Sequence, residues 1–277
     1  MASPVVVLDR GNNTTCTLNL HGCTIVSWRV NNQEQLFVSK KSVFDGKKPI
    51  RGGIPLVFPV FGHSHYGPQH GFARICRWTL EKGPERNLSG DVEAMFSLCE
   101  NEFTTSIWPS PFRLAYRILL REKELHLHVS IYNPSKDIPF GFNVLFHTYF
   151  KCPDVRRCQI TGLVGCTFID RTREPPNSYR ECRDGVTIGE WTDRVYTNTP
   201  PEHVITSVVS GRKMRIQKYN LPDTFVWNPW VPQAKEIQDF GDDEYPNMVC
   251  VDSGYISSPI TLMPGTAFEA SQILQVM

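Results

Sequence analysis

Leu125-His-Leu-His-Val-Ser-Ile131 places an apolar residue at every second position, the period of a strand with one face in a core. The run before it, Arg113 to Arg121, has the same character, and Arg121-Glu-Lys-Glu124 is suited to turn one into the other as a hairpin. Further strands are predicted at Thr15–Leu20, Thr24–Val30, Val92–Cys99, Phe140–His147, Val204–Ser210, Met214–Tyr219, Met248–Val251 and Ile273–Val276. Short turns rich in Gly, Pro, Asn and Asp separate them. Only Pro232 to Phe240 suggests a helix of any length. Strands that follow one another without long alternating helices exclude a doubly wound nucleotide fold. The fold class is therefore all-β, a large antiparallel β-sandwich, expected as a single domain over residues 1–277. No linker interrupts it; the densest polar stretch, Asp170 to Asp184, is expected to be a long surface loop, suited to the mouth of a site.

Composition narrows the setting. A hydrophobic content of 40% supports a substantial core, and a net charge of +1 argues against nucleic-acid binding built on bulk charge. No apolar run approaches the roughly 18 residues of a membrane span, and the first residues lack the pattern of a secretion signal, so a cytoplasmic location is expected. Nine cysteines without a Cys-x-x-Cys pair read as free thiols in a reducing compartment. His63-x-His65 is assigned to solvent or substrate, and no metal is expected. Neither a Gly-x-Gly-x-x-Gly nor a Walker-type motif occurs, which leaves nucleotide binding without local support.

The richest chemistry lies in Arg51-Gly-Gly-Ile-Pro-Leu-Val-Phe-Pro-Val-Phe-Gly62, followed by Gln69-His70-Gly-Phe-Ala-Arg74. Glycines let backbone come close to a ligand, prolines stiffen the path, and arginine offers a donor fork for phosphate or carboxylate. The segment reads as a wall of a small-molecule site with an anionic end. Elsewhere the titratable candidates are His147, Asp193 and Asp252. From Asn143 onward, alternation puts residues 143, 145, 147 and 149 on one face of their strand. Read alone, His147 also suits a satisfied core histidine, Asp252 a turn cap, and Asp193 a turn residue or a partner of Arg194.

Taken in order, Arg51-Gly-Gly-Ile-Pro, Phe58-Pro-Val-Phe-Gly62, His70-Gly-Phe-Ala-Arg74, His147-Thr-Tyr-Phe150, Gly162-Leu-Val-Gly-Cys-Thr-Phe-Ile-Asp170, Thr192-Asp-Arg-Val-Tyr196, Val226-Trp-Asn-Pro-Trp230, Asn247-Met-Val-Cys-Val251 and Leu262-Met-Pro-Gly265 resemble one family. It is that of the glucose-6-phosphate 1-epimerases, or hexose-6-phosphate mutarotases, within the galactose mutarotase-like superfamily. The resemblance runs from about residue 5 to the end of the chain. It implies the supersandwich fold and the interconversion of sugar-phosphate anomers without a cofactor. It further implies that Arg51, Gln69 and Arg74 hold the phosphate, that His147 is the catalytic acid and that Asp193 contacts substrate. Asp252 falls where the family usually carries a glutamate acting as base, one methylene longer. His147 and Asp252 are thus expected to act as an acid–base pair across the anomeric carbon, with Asp193 orienting the sugar. Phe61, Phe72, Trp227 and Trp230 are candidates for apolar contact with it. The expected partner is a small sugar phosphate bound by a monomer; a mutarotase of free aldoses and a non-catalytic sugar-phosphate binder remain alternatives.

Overall fold

A computed structural model describes residues 4–64 and 67–277 of the chain. His65 of the His63-x-His65 pair lies outside the described residues, as does the Met1–Ser3 start. In the strand Glu124–Tyr132, Leu125, Leu127, Val129 and Ile131 are fully buried, while His126, His128 and Ser130 look partly outward. Arg113–Leu120 repeats the alternation with Leu114, Tyr116, Ile118 and Leu120 inside. The two pair antiparallel, and the Arg121 N–H closes the turn onto the Glu124 carbonyl at 2.9 Å.

They belong to a nine-stranded sheet running from Gly185–Thr187 at one edge to Thr79–Arg86 at the other. A second sheet of eight strands follows the path Asn177–Arg180, Thr167–Asp170, Thr192–Thr197, Asp223–Asn228, Met248–Leu262, Phe140–Phe146 and Leu56–Val57. Its remaining strand, Tyr149–Lys151, pairs with Met248–Leu262. Four strands from Val5–Gly11 to Gln33–Glu34 form the third sheet. One apolar core joins all three, with Leu127, Val251 and Trp28 in the same cluster. Burying a side chain such as Phe146 contributes about 1.5–3 kcal/mol. A one-residue slip would exchange Phe146 with His147 across the sheet, so the core fixes the register that the site needs.

The observed helix at Trp230–Glu236 starts and ends earlier than the sequence suggests, and a second short helix, Glu102–Ile107, is capped by Asn101. The polar stretch expected to be a loop contains the strand Asn177–Arg180, all four residues exposed at a sheet edge. Such a strand buries nothing on either face and so shows no alternation. No helix among the described residues is long and apolar enough to cross a membrane.

Candidate active site

The second sheet has two different faces. Val144, Phe146, Val226 and Val251 enter the common core, whereas Leu145, Val195 and Phe225 form a separate apolar group on the far side. Residues directly opposite on paired strands share a face. Asp193 lies opposite Trp227, Phe225 opposite Asp252, and Tyr149 opposite Cys250. Alternation therefore delivers acids, aromatics and a thiol to one surface outside the core.

The Arg51–Gly62 segment is laid along that surface by backbone hydrogen bonds. Tyr149 N–H donates to the Gly53 carbonyl at 2.9 Å, His147 N–H to that of Pro55 at 3.0 Å, and Asn143 N–H to that of Pro59 at 2.6 Å. Two positions in the wall require glycine. Gly53 and Gly71 both have positive φ, and a Cβ there would run into the carbonyl oxygens of Ile25 and Phe58. The result is a pocket of about 200 Å³ whose lining includes Arg51, Gln69, His70, His147, Arg171, Asp193 and Trp227.

His147 stands at the junction of pocket and sheet. Its Nδ1 lies 2.5 Å from Asp252 Oδ2, and Thr148 N–H donates to Asp252 Oδ1 at 2.7 Å. A carboxylate only accepts, so the proton between imidazole and carboxylate belongs to Nδ1, and Nε2 keeps its lone pair. Asp252, expected to meet the sugar, stands outside the pocket lining. It has no exposed surface, and both its oxygens are engaged. Burial raises its pKa, opposed by the neighbouring imidazole. It sits behind His147.

The phosphate candidates divide in the same way. Arg51 and Gln69 line the pocket. Arg51 donates through Nε to Asp239 at 3.0 Å and through Nη1 to the Tyr149 hydroxyl at 3.4 Å, which fixes the plane of the guanidinium. Arg74, expected to grip the ligand directly, is only 5% exposed and stands one layer back, donating through Nη2 to the Gln69 carbonyl at 2.7 Å. Burial, and then the charge of Arg51, bring its pKa down to about 10, so it is still a cation near neutral pH.

Asp193 lines the pocket from the strand Thr192–Thr197 and is therefore not a turn residue. Its ionic neighbour is Arg171, with Nε 3.7 Å from Oδ1, while Arg194 lies over the ring of Phe168. Of the aromatic candidates, Trp227 lines the pocket, and Phe61 stands beside it against His70, Phe225 and Arg171. Phe72 and Trp230 instead pack with the main core.

Three residues that the sequence reading did not assign also enter the site. Arg171 adds a second guanidinium to the wall, and Tyr149 orients Arg51. His70, at φ +65°, is locked by reciprocal bonds: its N–H donates to the Gly62 carbonyl at 2.8 Å and its Nδ1 accepts from Gly62 N–H at 3.0 Å. Its Nε2 therefore carries the proton as a neutral donor. Burial, followed by the charge of Arg74, holds it well below the ordinary imidazole pKa. Its signal in the sequence is position, a histidine between Gln69 and Gly71 in a glycine-rich wall. Ligand atoms of His147, Cys250 and Asp252 lie within 4.8 Å of one another, the one metal-like grouping among the described residues. Burial keeps the Cys250 thiol protonated, and His147 and Asp252 already satisfy each other.

Known proteins share both this fold and long stretches of this sequence. The family model described as aldose 1-epimerase matches residues 4–275. A Cenchrus ciliaris protein bearing the provisional name glucose-6-phosphate 1-epimerase is 34% identical over 268 residues, covering 94% of this chain and 80% of that one. A Salmonella typhimurium protein of the same provisional name is 30% identical over 247 residues, covering 87% and 79%. Among solved structures, a provisionally titled mutarotase from Salmonella typhimurium superposes with a TM-score of 0.88 at 25% identity, covering 98% of this chain and 90% of its own. Galactose 1-epimerase from Lactobacillus acidophilus shares the fold at a TM-score of 0.73 and 13% identity, covering 98% and 93%.

Proposed function

This chain belongs to the aldose 1-epimerase family, and from that premise we propose that it interconverts the α and β anomers of a hexose 6-phosphate, glucose 6-phosphate foremost. The observation that carries the reading is the polar wall that shares the pocket with the imidazole. Arg51 and Gln69 face the pocket, with the Arg74 cation fixed behind them through Gln69. A free aldose has no anion to use such a wall, whereas a phosphate dianion suits the guanidinium fork. The provisional names of the Cenchrus and Salmonella relatives point the same way.

Anomer exchange conserves atoms and oxidation state, so it asks only for proton transfer and orientation. His147 Nε2 takes the proton of the anomeric hydroxyl, the freed electron pair makes the C1 carbonyl, and the pair of the breaking C1–O bond stays on the ring oxygen, which takes up a proton. Rotation of the carbonyl end and reclosure deliver the other anomer. Asp252 keeps the imidazole in the required tautomer and stabilises the imidazolium that forms, the role a buried aspartate plays behind a catalytic histidine. Trp227 and Phe61 offer apolar surface to a sugar face. A monomer is proposed as the working unit, and the nine free thiols favour a reducing, cytoplasmic setting.

An NMR exchange measurement on glucose and glucose 6-phosphate tests the proposal. Faster exchange of the phosphorylated sugar is expected. Equal rates on both sugars would refute the phosphate assignment, and tight binding without exchange would leave a sugar-phosphate binder.

A further inference from the structure

Proton exchange at two oxygens needs two groups on the pocket surface, and His147 is only one of them. Asp252 is sealed: it has no exposed surface, does not line the pocket, and its oxygens are held by the imidazole and by Thr148 N–H. The carboxyl group that does line the pocket is Asp193. It shares the site face with Asp252, two strands away, because Asp193 lies opposite Trp227 and Asp252 opposite Phe225 on the intervening strand. Asp193 Oδ1 is buried with no hydrogen-bond partner, and Arg171 Nε at 3.7 Å is too far to supply one. An acceptor left in that state carries a desolvation cost that no bond within the chain offsets.

Building on the epimerase reading, we propose that Asp193 is the second proton carrier, exchanging a proton with the sugar opposite His147, while Asp252 acts through the imidazole as a positioning residue. The step balances without any co-reactant. His147 Nε2 takes the proton of the anomeric hydroxyl, the pair from that O–H bond forms the carbonyl, and the pair of the breaking C1–O bond goes to the ring oxygen. That oxygen takes a proton from the Asp193 carboxyl. Reclosure runs the same transfers backwards and restores both groups.

The surroundings of Asp193 favour its protonated form more than water does. Burial raises its pKa, Arg171 opposes the rise, Asp170 adds to it, and His147 lowers it from across the pocket.

The test is anomer exchange of glucose 6-phosphate by the full chain and its variants. Asp193→Asn is expected to lower kcat by about 10²–10⁴-fold, with KM changed by less than about threefold. Formate should revive Asp193→Ala in proportion to its concentration, because it enters the open pocket. Asp252→Ala should stay inactive in formate, because its position is closed. Asp193→Asn with wild-type kcat would overturn the proposal. So would a folded Asp193→Ala variant that binds glucose 6-phosphate by calorimetry yet gains nothing from formate. Revival of Asp252→Ala alone would return the role to Asp252. If the wild-type protein exchanges no aldose or aldose phosphate, the epimerase reading fails and this assignment with it; where the wild-type protein exchanges rapidly, a failure among the variants counts against Asp193 alone.

Discussion

Replacing Asp252 by asparagine changes one atom and tests how His147 is set. Asparagine has one oxygen and one NH2 where aspartate has two acceptors. The Thr148 N–H, 2.7 Å from Oδ1, must keep an acceptor because it is buried, so the amide oxygen goes there. The NH2 then faces Nδ1 of His147, which has to accept instead of donate. The imidazole proton moves to Nε2, and the lone pair that receives the sugar proton is lost. The same tautomer error in a serine protease, where the geometry stays intact, lowers kcat about 10⁴-fold. Folding should suffer less, because the asparagine still makes two hydrogen bonds; Asp252→Ala, which leaves the Thr148 N–H and Nδ1–H without acceptors, should cost about 3–5 kcal/mol. The assays are anomer exchange by NMR and imidazole nitrogen shifts, which report the tautomer directly. A folded Asp252→Asn protein within tenfold of wild-type kcat, with the Nδ1–H tautomer retained, would refute the reasoning.

Arg51→Ala should raise KM for glucose 6-phosphate about ten- to a hundredfold, the worth of a charge-assisted bond of about 1.5–3 kcal/mol, with Arg51→Lys recovering only part. Activity on the unphosphorylated sugar should change far less, and steady-state kinetics on both sugars check this. Stability should carry an acid-sensitive component at Glu181: burial alone would raise its pKa, but bonds from Arg183 and Tyr196 outweigh that and hold it down to about 2. Because the folded pKa lies below the unfolded value, this stabilisation is present in full above about pH 4.5 and is lost as pH falls towards 2. Glu181→Gln should therefore be about 2 kcal/mol less stable at pH 7, with the gap closing in acid, as urea titrations at several pH values would reveal.

The sequence announces strands where one face alone is buried. Leu125–Ile131 and Val92–Cys99 carry the alternation because solvent and core impose different demands on neighbouring residues. Where both faces have the same surroundings the signal vanishes. Thr79–Arg86 is almost wholly exposed at its sheet edge, and Asp223–Asn228 is buried at nearly every position, one face in the core and the other beneath the site. The second case is the instructive one, since that unread strand supplies Phe225 and Trp227 to the site.

The same logic governs the site. Arg51, Gln69, His147 and Asp193 are legible by residue type and neighbours, and the fold brings all four to one pocket. Arg171 is lost among other charges of a polar stretch, because nothing local separates a guanidinium turned into a pocket from one in water. Depth is the quantity a sequence withholds. Arg74 and Asp252 each lie one layer behind a residue that faces the ligand, Gln69 and His147 respectively. Their types suit contact with a substrate, but under the proposed function they act on it through another group, one by charge and the other by fixing a tautomer. Aspartate at position 252 meets the imidazole. In a position with no exposed surface the added methylene of Asp252→Glu must displace either His147 or its own packing, at about 1–3 kcal/mol. The shorter acid thus commits the imidazole to one tautomer, and Asp193 is the carboxyl left facing the pocket.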